Sequence, residues 1–386
     1  MPTIERIVSW SDELTAIRRD FHQYPEIGFE EVRTSGIVAE KLASWGIEVH
    51  TGIGKTGVVG VLHGKGEGRT IGLRADMDAL PMEERTNLPY SSKIANRFHG
   101  CGHDGHTTML LAAARYLAEI RNFSGTVVFI FQPGEEGCGG ARAMLADGLF
   151  ERFPCDELYG LHNSPDEKPY RVGIKPGAAM AGADFFDIRI KGRGSHGARP
   201  EVSKDPIIVA TQLVSALQSV VSRNISPLRA AVLSVTQIHA GSAYNVVPEE
   251  ATISGTVRYL DKEVNEQIRE RMRTIAAGIA ATFEVEIETD IRNIFDVLSN
   301  TEDLVEGFAD AARDIVGDDN VYIKSEPVMG SEDFADMLYK VPGVYCTLSH
   351  AGTVQLHNPA FQLDDGILPV GASLLARVVE KRLSVI

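Results

Sequence analysis

Cysteine and histidine crowd into one short stretch of the sequence, HGCGHDGHT at residues 99–107. One residue separates Cys101 from His103, so both side chains are able to face one centre, and thiolate and imidazole are good ligands for zinc and neighbouring first-row metals. The stretch leads into an apolar helical run, and loops of this kind bind ligands in open α/β sheets. The alternative is a glycine-rich helix entry in which Asp104 or Thr107 serves as the cap.

Two adjacent carboxylates form a second cluster, within FIFQPGEEGCGGA. An apolar strand ends at Pro133 and Gly134 and delivers Glu135 and Glu136 into a turn. Neighbouring side chains at the end of a strand point in different directions. One carboxylate is therefore able to bind a metal while the other moves protons. The alternative is a solvated pair of surface glutamates.

Two further histidines follow predicted strands. His162 closes ELYGLH, and His357 lies in VQLHNPA, after the strand GVYCTLSH. A lone histidine is commonly a structural residue. Here, however, Cys101, His103 and Glu136 fall at predicted strand ends on the same edge as the two histidines. The five residues together predict a metal centre.

Charge balance favours two divalent ions at this centre. An ionised Cys101 and Glu136 contribute about −2 and two divalent cations about +4, which leaves a surplus for an anionic substrate and a hydroxide. Two ions ~3.5–4 Å apart lower the pKa of water and polarise a carbonyl, and Cys101 is able to bridge them. Glu135 is then the predicted general base, which takes the proton of the water and passes it to the leaving amine.

Two other functions fit parts of the pattern. In the first, Cys101 is a covalent nucleophile with His103 or His106 as its base, and activity would survive chelation. The two-residue separation of Cys101 from His103 favours shared chelation over proton transfer. In the second, a non-catalytic dimer holds the ions structurally or binds a small ligand. The presence of Glu135 argues against that function.

The surrounding sequence predicts an α/β protein. Helical spacing opens the chain, and from Val58 short unbroken apolar runs alternate with helical runs, as in a mostly parallel sheet covered on both faces. Later strands alternate strictly between apolar and polar residues, in the order β-α-β-β-α-β. We therefore predict a three-layer catalytic domain at residues 1–183 and 293–386. A ferredoxin-like α+β domain at residues 184–292 is inserted into it.

The composition excludes several classes of protein. The 386 residues carry 38 Lys+Arg and 53 Asp+Glu, a formal net charge of −15, so the average field repels nucleic acid and anionic lipid. No apolar run approaches the ~18–20 residues of a membrane helix, and the first residues carry acids where a signal peptide needs a basic end. Four cysteines are too few to cross-link a chain of this length. We expect a cytoplasmic protein without nucleic-acid or membrane partners.

In combination, these motifs resemble the dinuclear metal amidohydrolases, the family of hippurate hydrolase, bacterial N-acyl-amino-acid amidohydrolases and plant auxin-conjugate hydrolases. The resemblance spans nearly the whole chain. It rests on RRDFHQYPEIGFEE (18–31), LRADMDALP (73–81), HGCGHDGHT (99–107), FQPGEEG (131–137), GLHN (160–163), GRGSHGARP (192–200), NVVPEEATISGTVR (245–258), GSEDF (330–334) and LHNPAF (356–361).

The resemblance implies that the five ligands hold two divalent ions of zinc, manganese, cobalt or nickel, with Cys101 between them and Glu135 as the general base. It implies that the inserted domain is a lid and a homodimer interface, and that its His196 reaches the active site of the partner subunit and stabilises the oxyanion. It assigns Asn245 to the substrate carboxylate and Asp78 to the orientation of a ligand. The implied substrate is an N-acyl amino acid or a similar small acyl amide, and a dipeptidase or carboxypeptidase is the alternative.

Some positions depart from the pattern of the family. Glu201 follows GARP where many relatives carry another histidine, and DIRNIFDVLSN (290–300) replaces a proline-rich return. Tyr244 stands where a small residue is common, so its ring is expected to trim the acyl pocket. Asp76 occupies the place of a metal-binding histidine in more distant relatives.

Overall fold

The computed structural model describes residues 3–385, which form two compact units. The first unit contains the chain up to Ala179, Ser299–Pro327 and the chain from Asp333 onward. The second contains Met180–Leu298 and Val328–Glu332. The chain therefore leaves the first unit and returns to it, as expected for an inserted domain.

The first unit has helices and strands in alternation. Its helices are α1 (Glu5–Val8), α2 (Ser11–Gln23), α3 (Val32–Ser44), α4 (His103–Ile120), α5 (Gly140–Ala146), α6 (Leu149–Arg152), α9 (Glu302–Val316), α10 (Phe334–Leu338) and α11 (Ile367–Arg382). Its strands are β1 (Glu48–Ile53), β2 (Gly57–His63), β3 (Thr70–Asp76), β4 (Thr126–Gln132), β5 (Glu157–Asp166), β6 (Val172–Ile174), β15 (Val321–Ile323) and β16 (Gly343–Ala351).

These strands form one eight-stranded sheet in the order β1-β2-β4-β3-β5-β16-β6-β15. The four central strands, β4, β3, β5 and β16, run parallel to one another. The strands β3 and β4 are buried along almost their whole length, as expected of central strands in a parallel sheet that is covered on both faces. The prediction of a mostly parallel α/β domain is confirmed.

The second unit contains β8 (Gly182–Lys191), β9 (Ser195–His196), α7 (Pro206–Asn224), β10 (Ala231–Ala240), β11 (Val246–Val247), β12 (Glu250–Tyr259), α8 (Lys262–Phe283) and β13 (Glu286–Phe295). Its main sheet is antiparallel in the order β10-β12-β8-β13, and α7 and α8 pack against it. Alternate residues of β12 are buried, as the strict alternation in the sequence predicts. The predicted β-α-β-β-α-β order is confirmed.

The junctions differ by a few residues from the predicted domain bounds. The short strands β7 (Gly177–Met180) and β14 (Leu298–Asn300) lie where the chain passes between the units. The predicted bound at residue 292 falls inside β13, which continues to pair with β8 as far as Phe295 opposite Ala183. The alternation in DIRNIF gave no signal for the end of this strand.

Within residues 3–385, no helix has both the length and the apolar character that a membrane span requires.

Candidate metal centre and active site

The central parallel strands bring the candidate residues to one edge of the sheet. Strand β3 lies between β4 and β5, so the next two strands of the large sheet lie on opposite sides of β3. In open α/β sheets, ligands bind at the carboxyl ends of the strands at such a position. Asp78 follows β3, and Glu135 and Glu136 follow β4. His357 lies in the segment after β16.

Two of the local structures differ from those predicted. Helix α4 begins at His103, so this residue lies in the first turn of the helix and not in a loop before it. Strand β5 continues through His162 to Asp166. The pairing of β5 with β16 continues before and after His162 in the sequence, from Leu158 to Asp166, and this pairing holds the backbone of His162 in place.

The structure brings together all five residues predicted to bind metal. The ligand atoms of Cys101, His103 and His162 all lie within 4.8 Å of one another, and so do those of Cys101, Glu136 and His357. Cys101 belongs to both sets, as a residue between two ions must. The Sγ atom of Cys101 lies 3.4 Å from Nε2 of His162, and Oε1 of Glu136 lies 3.3 Å from Nε2 of His357.

Unsatisfied polar atoms in this cluster fit a bound cation. Within residues 3–385, neither Nε2 of His103 nor Oε1 of Glu136 makes a hydrogen bond of good geometry, although both atoms are buried, and Oε1 has only the 3.3 Å ion-pair contact with His357. The two atoms lie 3.9 Å apart. Burying such groups without partners costs about 1–3 kcal/mol each, and a divalent ion would satisfy both. Sulfur, imidazole and carboxylate donors together suit zinc and the neighbouring first-row metals.

Hydrogen bonds on the far side of two imidazoles turn their remaining nitrogens toward the cluster. Asp78 Oδ1 lies 3.2 Å from Nδ1 of His103, and Asp78 Oδ2 accepts a hydrogen bond of 3.0 Å from the backbone N–H of Glu136. Nδ1 of His162 donates to the carbonyl oxygen of Asn163 at 2.7 Å. Partners of this kind fix the orientation and tautomer of a metal-binding histidine.

The environment of Cys101 argues against the nucleophile alternative. Burial, and after it the carboxylate of Glu136, raise the pKa of the Cys101 thiol well above its ordinary value. Reactive cysteines have the opposite property, a lowered pKa in an electropositive surrounding. A cation beside Sγ would reverse the shift and deprotonate the thiol, which is the condition for a ligand.

His106, the other histidine of the motif, is fully engaged in hydrogen bonds. Its Nδ1 lies 2.6 Å from Oδ1 of Asp76, and its Nε2 accepts hydrogen bonds of 3.0 Å from both the backbone N–H and the side-chain amide of Asn163. Asp76 also accepts a 2.6 Å hydrogen bond from Arg74. The ligand atoms of Asp76, His103 and His106 also lie within 4.8 Å of one another, but these hydrogen bonds occupy both nitrogens of His106, as expected of a residue that braces the cluster.

Asn163 is a site residue that the sequence analysis missed. Its side-chain amide donates to the carbonyl oxygen of Cys101 at 2.6 Å, and so ties strand β5 to the loop that carries the thiol. Gly102 has a φ of +85°, and a Cβ there would lie 2.4 Å from Nδ2 of Asn163. The close approach requires glycine at this position. The only signal in the sequence is the place of Asn163 directly after His162.

The side chains of the cluster differ in their exposure to solvent. The side chain of His357 is 53% exposed and that of Glu136 is 13% exposed, whereas His103 is fully buried. The predicted base, Glu135, is 6% exposed. His357 is therefore the most exposed of these side chains, and the predicted base lies in a largely dry setting.

His196 and Asn245 lie in the second unit, and their hydrogen bonds lie within that unit. His196 pairs with Val246 between β9 and β11, and the N–H of Gly197 donates to the carbonyl oxygen of Asn245 at 2.7 Å. The side chains of both predicted residues are exposed. Tyr244, next to them, is also exposed. Their predicted roles toward substrate stay predictions.

Comparison with known proteins agrees with this geometry. A model of the peptidase family M20/M25/M40 matches residues 72–381. The chain belongs to this family. Because members of the M20/M25/M40 family cleave amide bonds, the chain is a hydrolase of such bonds, and the resemblance inferred from the motifs is confirmed.

Relatives within the family match the chain over nearly its full length. Hippurate hydrolase of Campylobacter jejuni is 44% identical over 99% of this chain and 100% of its own. N-acetylcysteine deacetylase of Bacillus subtilis is 40% identical over 95% of each chain. The crystal structure of a dinuclear metal binding peptidase of the M20 family from Bacillus subtilis superimposes with a TM-score of 0.84, at 35% identity over 97% of this chain and 99% of that one.

Proposed function

We propose that this protein hydrolyses the amide bond of N-acyl amino acids, or of similar small acyl amides, with two divalent ions. One observation carries the proposal, namely two sets of metal-binding atoms that share Cys101 and lie beside the adjacent pair Glu135 and Glu136. The names of the relatives support the substrate class, since hippurate is an N-benzoyl amino acid and N-acetylcysteine an N-acetyl one.

The proposed ligands are the five residues that lie together in the structure: Cys101, His103, Glu136, His162 and His357. Two divalent ions held there would supply a Lewis acid for the substrate carbonyl and would lower the pKa of a water molecule. Glu135 takes a proton from the water as the water oxygen bonds to the carbonyl carbon, and delivers that proton to the nitrogen of the leaving amine as the C–N bond breaks. Asp78 holds His103 and the backbone of Glu136 in place.

We also propose roles for the second unit as a lid and dimer interface. Strand β10 is an edge strand with an unpaired side, and Ile207, Ile208 and Ile238 of this unit are exposed. Exposed apolar side chains beside an open strand edge favour pairing with a second copy. In such a homodimer the partner subunit's His196 would stabilise the oxyanion, and Asn245 would hold the substrate carboxylate.

We propose a cytoplasmic location because the cysteines are not oxidised to disulfides. All four are free thiols, and three of them, Cys101, Cys155 and Cys346, are buried or half-buried. Free thiols of this kind are typical of a reducing compartment.

Amine release from a substrate panel tests the function. Purified enzyme, with its metal content measured on the same preparation, is offered N-acetyl, N-benzoyl and indole-acyl amino acids together with dipeptides. We expect release of the free amino acid from at least one N-acyl class and its loss after chelation. Release from dipeptides alone would favour the dipeptidase or carboxypeptidase function. A metal-loaded enzyme that cleaves none of them would overturn the proposal.

A further inference from the structure

The segment between α2 and α3, residues 24–31, contacts both loops that carry the proposed catalytic groups. The backbone N–H of Ala79, next to Asp78, donates to the carbonyl oxygen of Glu26 at 2.8 Å. The backbone N–H of Gly134, next to Glu135, donates to Oε1 of Glu31 at 2.8 Å. The segment therefore connects the loop after β3 with the turn after β4.

Glu31 is buried in a way that is costly unless its carboxylate has partners. Its exposed fraction is 0%. Besides the N–H of Gly134, the hydroxyl of Thr56 donates to Oε2 at 2.6 Å, and the backbone N–H of Glu31 itself also stabilises the carboxylate. A buried carboxylate is expensive to desolvate, so a position that retains one needs something that an apolar residue cannot supply. Here that is an acceptor for the buried N–H of Gly134.

Packing around the turn is tight enough for a small shift to matter. A Cβ on Gly28 would lie 2.9 Å from Sγ of Cys138 and 3.0 Å from Cα of Gly134. Phe29 has a φ of +67°, a left-handed conformation that is strained for an aromatic residue. Strained backbone persists where surrounding structure holds it and clusters at functional sites. The strain here lies directly beside the turn that presents Glu135.

We propose that Glu31 is a positioning residue that fixes the backbone of the turn at residues 133–138, and through it the side chain of Glu135. The proposal rests on the proposed function, in which Glu135 moves the proton. Without an acceptor on Glu31, the N–H of Gly134 would be buried and unpaired, at a cost of about 1–3 kcal/mol that the turn avoids by moving. A displacement of about 1 Å at a reacting group is able to lower a rate by about a hundredfold.

Two substitutions distinguish the effect of side-chain length at position 31 from the effect of charge. Glu31→Gln keeps the length of the side chain and an oxygen acceptor but removes the charge. Glu31→Asp keeps the charge but shortens the side chain by one methylene, so that it no longer spans the distance to Gly134. Glu157→Asp is the matched control, because Glu157 is also a buried carboxylate of the first unit, and its partners are Tyr159, Arg69 and Arg382.

Hydrogen exchange measured by mass spectrometry on the metal-free proteins is the first readout, because it does not depend on activity. We expect the peptide covering residues 133–138 to exchange at least tenfold faster in Glu31→Asp, and within threefold of wild type in Glu31→Gln and Glu157→Asp. The second readout is steady-state kinetics of the metal-loaded proteins. We expect kcat to fall at least tenfold in Glu31→Asp, with KM and metal content within twofold of wild type, and Glu31→Gln to retain at least a third of kcat.

Equal exchange in Glu31→Asp and wild type would overturn the proposal, and so would a Glu31→Gln protein as impaired as Glu31→Asp. Because exchange is measured without substrate, this result is distinguishable from a failure of the proposed function. An enzyme without amidohydrolase activity would still show whether Glu31 holds the turn.

Discussion

The carboxylate of Asp78 bridges two of the proposed metal ligands: one oxygen lies 3.2 Å from Nδ1 of His103, and the other accepts the backbone N–H of Glu136. One side chain thus fixes a histidine of α4 relative to the turn that follows β4. Its position after β3, the strand between β4 and β5, places it where both loops are within reach. We therefore propose that the carboxylate acts on the metal centre through these two contacts and not by ligation.

Asp78→Ala should weaken metal binding while leaving the fold intact. Loss of a carboxylate that orients a metal-binding histidine typically lowers metal affinity by about 10–100-fold. We expect that range for zinc in competition with a chromogenic chelator. Asp147→Ala is the control, since its carboxylate also accepts a backbone N–H, that of Gly54, but contacts none of the five ligands. Equal metal affinity in Asp78→Ala and wild type would contradict the role of Asp78.

Glu135→Gln and Glu136→Gln should impair different properties of the enzyme, turnover in the first and metal binding in the second, although the residues are adjacent. An amide at position 135 cannot take a proton, so we expect kcat to fall by about 10²–10⁴-fold with metal content unchanged. An amide at position 136 removes a charged ligand and should lower metal content. Kinetics and elemental analysis on the same preparations check both. Normal turnover by Glu135→Gln would remove Glu135 from the mechanism.

The sequence predicted the five proposed ligands, which the structure brings together, better than the residues that support them. Cys101 and His103 are visible because they are close in sequence, and Glu136, His162 and His357 because each follows an apolar strand. Parallel strands then bring these positions to one edge, a general property of the fold. The order of elements in both units was likewise readable from the difference between unbroken and alternating apolar runs.

The supporting residues could not be predicted because their roles depend on contacts between distant segments. Asn163 ties β5 to the carbonyl of Cys101, and Glu31 reaches Gly134 across more than a hundred residues of sequence. Neither residue belongs to a pattern of spacing. The predicted domain bound at residue 292 falls inside β13 for a similar reason, because pairing with β8, and not local composition, decides where that strand ends.

Removal of the metal should lower both activity and thermal stability. A ligand that binds only the folded state stabilises it by about 2.7 kcal/mol at a hundredfold excess over Kd. We therefore expect chelation to lower Tm by several degrees and to abolish amine release, and added zinc, manganese or cobalt to restore both. Differential scanning fluorimetry and amine assays measure these effects. Activity that persists after complete removal of metal would instead favour Cys101 as a covalent nucleophile.

The cost of burying Glu31 should appear as a pH dependence of stability. Burial raises the pKa of Glu31 to about 7, against the hydrogen bonds from Thr56 and Gly134, which lower it. Between pH ~4.5 and ~7, the carboxyl of Glu31 is therefore protonated in the folded state and ionised in the unfolded state. Its contribution to the free energy of unfolding is fully present at low pH and is lost as the pH rises through 7. At about 1.4 kcal/mol per pH unit, the loss reaches about 3 kcal/mol.

Glu31→Gln removes this titration. We expect the difference in Tm between Glu31→Gln and wild type, both metal-free, to shift in favour of the variant by several degrees between pH 5 and pH 8. Glu157→Gln is the control: burial raises the pKa of Glu157, but the hydrogen bond and charge of Arg382 outweigh it and leave that pKa below its ordinary value. Glu157 therefore stays ionised from pH 5 to pH 8, and the difference between its variant and wild type should stay constant. If the difference in Tm between Glu31→Gln and wild type also stayed constant from pH 5 to pH 8, Glu31 would be ionised across this range. Its hydrogen bonds would then fully offset the cost of burying its charge.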